Sequence, residues 1–124
     1  MSEDPGGAPR RILVVDDEPD LLGIVALLLR DSGYDVRCAS SGAEALAWAD
    51  RERFDLALTD YRMPGMDGLE SLSTIAARCP GIAVILMTGY LSESVREAAR
   101  VAGCRLIEKP FDLEALLAEI EDAF

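Results

Sequence analysis

Five short, mostly apolar runs recur along the chain, and each stops at a polar or charged residue. Ile12-Leu13-Val14-Val15 is bounded by Asp16-Asp17, and Val36 to Ala39 follows Gly33-Tyr34-Asp35. Leu56-Ala57-Leu58-Thr59 ends at Asp60, Ala83 to Met87 ends at Thr88-Gly89, and Leu106-Ile107 ends at Glu108-Lys109-Pro110. Runs of this length without polar alternation suit strands buried on both faces, hence a parallel sheet. Parallel strands need crossovers, and helical patterns fill the gaps.

Pro19 suits the first turn of a helix that turns Leu22, Val25, Leu28 and Leu29 inward and stops near Gly33. Ser41 with Glu44 forms a capping-box pattern, and its helix lays Ala45, Leu46 and Trp48 over the sheet. Residues 68–78 carry Leu69, Leu72 and Ile75 and stop before Pro80. Residues 92–102 carry Val95, Ala98, Ala99 and Val101 and stop at Gly103. Asp112 caps a last helix with Leu113, Leu116, Leu117 and Ile120 on one face. Five strand–helix units with right-handed crossovers give a doubly wound α/β sheet. The five-strand count favours a flavodoxin-like order, 2-1-3-4-5, over a Rossmann order.

At 124 residues the chain makes one domain that buries enough surface to fold without a metal or disulfide. Residues 1–10, rich in Pro, Gly and acids, read as a disordered lead-in, leaving 11–124 as the folded domain. The net charge of -11 argues against nucleic acid and anionic membrane surfaces as partners. The longest apolar run, Leu21 to Leu29, is too short to span a bilayer. Three cysteines without CxxC spacing suit a reducing cytoplasm, with Cys38 and Cys104 as small buried hydrophobes. The chain has no histidine, which excludes histidine-based triads and zinc sites.

Ligands of open parallel sheets bind at the carboxyl ends of the strands. There the sequence places Asp16, Asp17, Asp60, Thr88 and Lys109, the chain's single lysine. Each has an ordinary explanation alone: helix-dipole acids, a turn residue, a capping hydroxyl, a solvated lysine. Together they do not. Carboxylates within about 5 Å repel by roughly 3 kcal/mol per pair at an effective dielectric near 20. A hard divalent cation, Mg2+ or Mn2+, resolves that conflict. An open carboxylate-held metal, an ammonium and a hydroxyl are the parts of phosphoryl transfer. Asp60, alone on the central strand, is then the candidate nucleophile, and Asp16 and Asp17 anchor the metal.

These residues resemble the response-regulator receiver domains of bacterial two-component signalling. The likeness rests on Val14-Val15-Asp16-Asp17-Glu18, Asp55-Leu56 leading to Asp60, and Met63-Pro64-Gly65-Met66-Asp67-Gly68. Met87-Thr88-Gly89-Tyr90 and Glu108-Lys109-Pro110-Phe111 complete it. The resemblance implies that Asp60 takes a phosphoryl group from a phosphohistidine of a sensor histidine kinase or phosphotransfer protein. It implies magnesium on Asp16, Asp17, Asp60 and the backbone carbonyl of Arg62, a mobile Thr88 hydroxyl, and Lys109 as the ion-pairing cation. It implies a cis Lys109-Pro110 bond and a switch that signals to an output domain or protein, with no turnover of substrate.

Leu106 departs from the family, which usually has Tyr or Phe three residues before the lysine. Arg62 and Tyr90 flank the site at positions that tune hydrolysis, and Tyr90 is expected to cover it in part. The face of the fourth helix, fifth strand and last helix, with Arg96, Arg100, Arg105, Glu93 and Glu97, is the family's output surface and leaves room for a homodimer. Two other functions compete: a magnesium-dependent aspartyl-nucleophile phosphohydrolase, disfavoured by Arg62 where such enzymes usually carry a carboxylate, and a docking module that is never phosphorylated.

Overall fold

A computed structural model describes residues 8–63 and 66–124. The expected lead-in falls mostly on residues outside the described ones, as do Pro64 and Gly65 of the loop after Asp60 and the side chains of residues 62–69 and 71. Arg10 already belongs to the fold, because its carbonyl accepts the Asp35 N–H at 3.0 Å and its guanidinium lies 4.4 Å above the Phe124 ring.

The elements are β1 (Arg11–Val15), α1 (Pro19–Asp31), β2 (Asp35–Ala39), α2 (Gly42–Arg51) and β3 (Leu56–Asp60). They continue with β4 (Arg62–Met63), β5 (Met66–Asp67), α3 (Gly68–Arg78), β6 (Ala83–Thr88), α4 (Glu93–Ala102), β7 (Arg105–Glu108) and α5 (Leu113–Ala123). Five strands form one parallel sheet in the order β2-β1-β3-β6-β7. Counting only these strands, the order is 2-1-3-4-5, as the sequence pattern predicts. The ribbon of β4 and β5, antiparallel and two residues per strand, is an addition the pattern did not indicate.

Side chains of a strand point alternately to its two faces, and each face has its own core. Ile12, Val14, Leu56, Leu58, Ile85 and Met87 pack with Val25 and Leu29 of α1 and Leu116 and Ile120 of α5. Leu13, Val15, Ala57 and Leu86 pack on the other face with Ala45 of α2, Leu72 and Ile75 of α3, and Ala99 of α4. Burying a Leu or Ile of this kind stabilises by about 1.5–3 kcal/mol. The two cores leave the strand ends as the place where polar groups can gather.

The caps hold the helices in register with the sheet. Ser41 Oγ accepts the Glu44 N–H at 3.1 Å, while the Glu44 carboxylate reaches back to the N–H of Ser40 at 3.2 Å, one residue before the box the pattern predicts. Ser92 and Asp112 cap α4 and α5. Gly103 ends α4 with φ 74°, a left-handed position that favours glycine.

Several residues read as core are less buried than the pattern suggests. Val101 is 73% exposed, because Val95 and Ala99, with half-buried Ala98 beside them, make the inward stripe of α4 and Val101 falls outside it. Leu22 and Leu28 are half-buried, since only one face of α1 meets the sheet. Cys38 and Cys104 are also half-buried, and Cys79 is the buried cysteine; all three are free thiols. Among the described residues no helix is long and apolar enough to cross a membrane.

Candidate functional site

Parallel pairing brings the ends of β1, β3, β6 and β7 to one rim. Val15 pairs with Thr59, Asp60 with Met87, and Thr88 with Glu108. The residues that stop those strands therefore become neighbours. Asp60 is the last residue of the central strand β3, and Asp16 follows β1, held by its N–H on the carbonyl of Ala39 at 3.1 Å. Thr88 ends β6, and Lys109 follows β7 with its N–H on the carbonyl of Thr88 at 2.7 Å. The Lys109-Pro110 bond is cis.

Asp16 is fully buried, Asp60 is 8% exposed and Thr88 is buried, whereas Asp17 is exposed. One carboxylate oxygen from each of Asp16, Asp17 and Asp60 lies within 4.8 Å of the others. The Lys109 ammonium answers this charge, at 3.0 Å from Asp16 Oδ2, 3.4 Å from Asp60 Oδ2 and 3.4 Å from Glu18 Oε1. Asp16 also accepts the Glu18 N–H on its other oxygen at 2.9 Å.

The titration of the pair reflects this crowding. Burial raises the pKa of Asp60; Lys109 pulls it back, and Asp16 and Asp17 push it up further, so the net shift is upward. Burial works against the charge on Lys109, but its hydrogen bond to Asp16 and its attraction to Asp60 outweigh that, and its pKa is raised too. One ammonium against three clustered carboxylates leaves negative charge over. Hard oxygen donors with surplus charge and an open side suit a divalent cation such as Mg2+, so these residues fit the metal that the sequence implies.

The remaining predicted residues are placed as follows. The Thr88 hydroxyl donates to the carbonyl of Tyr90 at 3.0 Å and accepts the Tyr90 N–H at 3.2 Å, so it is engaged with its own loop. The Tyr90 side chain stands 75% exposed at the rim. Leu106 is half-buried against the core beneath α2, α3 and α4. Arg62 lies in β4, two residues past Asp60, with its side chain outside the described residues.

Two features escaped the sequence reading. Glu18 reaches Lys109 across 91 positions of sequence. Beside the rim, Leu21, Ile24, Pro110, Phe111 and Leu113 line a mainly apolar groove of about 640 Å³ that opens onto Glu18 and Lys109. Its signal was present in Leu21 to Leu29, where apolar residues occupy more of the helix surface than one buried face requires.

Known proteins resemble this chain in sequence and fold. A transcriptional regulatory protein of Escherichia coli K12, GlrR, is 40% identical over 93% of this chain, which spans 26% of that protein. A response regulator receiver protein of Anaeromyxobacter is 40% identical over 87% of this chain, which spans 46% of it. The chain therefore spans between a quarter and a half of the length of these relatives. A CheY-like receiver domain protein from Methanospirillum hungatei superposes with a TM-score of 0.86 at 36% identity, covering 91% of both chains. A response regulator protein from Burkholderia pseudomallei, solved with a phosphorylated aspartic acid, a calcium ion and citrate, superposes with a TM-score of 0.82 at 30% identity, covering 88% of this chain and 65% of its own. The model of the response regulator receiver domain matches residues 12–121, nearly the whole of the sheet and its helices, and the chain belongs to that family.

Proposed function

We propose that the domain is a phosphoacceptor switch and that Asp60 carries the phosphoryl group. The observation that carries this reading is Asp60 at the end of the central strand, facing Lys109 at 3.4 Å with two further carboxylates beside it. An Asp60 oxygen attacks the phosphorus of a phosphohistidine on a sensor histidine kinase or phosphotransfer protein. The P–N bond breaks, its electron pair leaves with the imidazole, which takes up a proton, and an aspartyl phosphate remains.

Lys109 pairs with an oxygen of the transferring group, and its raised pKa keeps it charged at neutral pH. The Thr88 hydroxyl gives up the Tyr90 carbonyl and donates to a second phosphoryl oxygen, which moves the loop that follows β6. Asp16, Asp17, Asp60 and the backbone carbonyl of Arg62 would hold Mg2+. When bound, that ion neutralises charge on the transferring group and on the carboxylates around it.

The apolar groove beside the rim suits a protein surface better than a small phosphoester, which supports a macromolecular donor. The output partner is a domain or protein responding to the loop after β6 or to the face of α4, β7 and α5. Leu106 shares that face of the fold. A homodimer through it would exchange charges that are now paired within the chain, Arg100 with Glu97 and Arg105 with Glu119 and Asp122. Tyr90, at the rim, slows the access of water to the phosphoryl group; equal autodephosphorylation rates for Tyr90→Ala and the parent would contradict this. The switch works in the cytoplasm, where its donors are.

Intact mass after incubation with acetyl phosphate tests the reading. The expected result is a gain of one phosphoryl group that depends on Mg2+ and is lost in Asp60→Asn. A parent that never gains mass and does not bind beryllofluoride contradicts it. Steady hydrolysis of small phosphomonoesters would instead make the domain a phosphohydrolase.

A further inference from the structure

Glu18 occupies the N-cap of α1 in extended conformation, yet its side chain makes no capping hydrogen bond. N-cap acids ordinarily accept from the first turn of their own helix. Here the carboxylate is directed across the rim to Lys109, at 3.4 Å, while the Glu18 N–H fixes the backbone on Asp16 at 2.9 Å. The Glu18 side chain is 65% exposed, so this carboxylate stands at the open side of the site.

An ammonium has three hydrogens to give. Lys109 faces three carboxylates, those of Asp16, Glu18 and Asp60. A phosphoryl group on Asp60 adds further anionic oxygens for the same ammonium. Asp16 is fully buried, and leaving a buried charge unpaired is strongly unfavourable. Glu18 can return to water with little loss, because exposed ion pairs contribute little. Of the three, Glu18 is the partner that gives way.

We propose that Glu18 is a positioning residue that competes with the incoming phosphoryl group for Lys109, and so restrains the acceptance of phosphate by Asp60. The proposal rests on the reading of Asp60 as phosphoacceptor. Removing the competing charge frees the ammonium for the phosphoryl oxygens. At about 4 Å in a largely solvated setting, one such charge corresponds to about a fivefold change in rate.

The test is the rate of phosphorylation by acetyl phosphate at limiting donor and saturating Mg2+, followed by intact mass. Glu18→Gln is expected to be about fivefold faster than the parent at low ionic strength, with the gain shrinking in 1 M salt, where the Debye length is about 3 Å. Glu18→Asp keeps the charge but shortens the reach, and is expected to share most of the gain. Asp31→Asn, the same charge change at the far end of α1, is expected to match the parent. Parent-like rates for both Glu18 variants would overturn the proposal while leaving Asp60 as phosphoacceptor. A parent-like Glu18→Asp beside a fast Glu18→Gln would overturn it in favour of charge at the mouth alone. A salt-independent gain, or an equal gain in Asp31→Asn, would overturn it as well. A parent that is never phosphorylated would overturn both readings together.

Discussion

The two ends of one sheet treat charge in opposite ways. At the amino ends of the strands, Arg11 bridges Asp35 at 3.3 Å and Glu52 at 2.8 Å, and Arg37 bridges the same two acids at 2.8 and 3.0 Å. Two cations meet two anions in a closed, partly solvated ring. At the carboxyl ends, Asp16, Asp17 and Asp60 crowd together with Glu18 alongside, and among the described residues only Lys109 opposes them. The first arrangement is complete in itself. The second is held by a fold that two hydrophobic cores stabilise, and it becomes balanced only when cation is added. A surplus of buried like charge is thus a mark of a site that binds, whereas a closed ring of pairs is a mark of structure.

The largest way to break the contrast is to remove Lys109, the cation that pairs with the acids of the carboxyl rim among the described residues. Lys109→Met leaves the buried carboxylates of Asp16 and Asp60 without the ammonium that opposes them and should destabilise the metal-free protein by about 3–5 kcal/mol, read from urea unfolding at neutral pH. The pKa of Lys109 is raised, so its contribution is complete below the ordinary lysine value and fades as pH rises through the folded one. Parent and variant should therefore converge in strongly alkaline solution. A loss below about 1 kcal/mol would show that the rim is not held by Lys109.

Adding cation should sharpen the contrast. Mg2+ at a hundred times its dissociation constant should stabilise the parent by about 2.7 kcal/mol, seen as a rise in melting temperature. The rise should be much smaller in Asp16→Asn. An equal rise in both proteins would place the ion elsewhere.

Asp60→Asn removes one of the crowded charges. A single like-charged neighbour at about 5 Å is worth roughly 1–3 kcal/mol, which the attraction to Lys109 offsets in part. The metal-free variant should gain about 1 kcal/mol at neutral pH. The sign follows from the raised pKa: the folded state favours protonated Asp60, a contribution present below the ordinary aspartate value and lost as pH rises through the folded one. The gain should therefore vanish in acid. A metal-free variant less stable than the parent at pH 7 would contradict the crowding.

The smallest effect is expected at the balanced end. Glu52→Gln weakens two pairs of the ring and should lower stability by about 1 kcal/mol or less, and less still in high salt. A loss as large as that of Lys109→Met would erase the distinction between the two ends.

Much of this was legible in the sequence for a simple reason. A buried parallel strand must be apolar throughout, so the first charged residue after it marks the strand's end. Asp16 and Asp60 are such residues, Lys109 follows the charged Glu108 that ends its run, and the topology then brings them together. What was not legible depends on partners far along the chain or on segments too short to carry a pattern. The β4–β5 ribbon has two residues per strand, fewer than any periodicity needs. Val101 is apolar but lies off the stripe set by Val95, Ala98 and Ala99. Glu18 reads locally as a helix-starting acid, and only the fold shows that it turns to Lys109 instead. The engagement of Thr88 with the backbone of Tyr90 likewise belongs to loop geometry, not to residue type.

The most direct test of the account asks where the phosphoryl group goes. The protein is incubated with acetyl phosphate and Mg2+, reduced with borohydride, which converts an aspartyl phosphate to homoserine, and mapped by peptide mass spectrometry. The account predicts homoserine at position 60 and at no other aspartate, with none formed when Mg2+ is withheld. Homoserine at Asp16 or Asp17, or none anywhere in a protein shown to have gained a phosphoryl group, would contradict it.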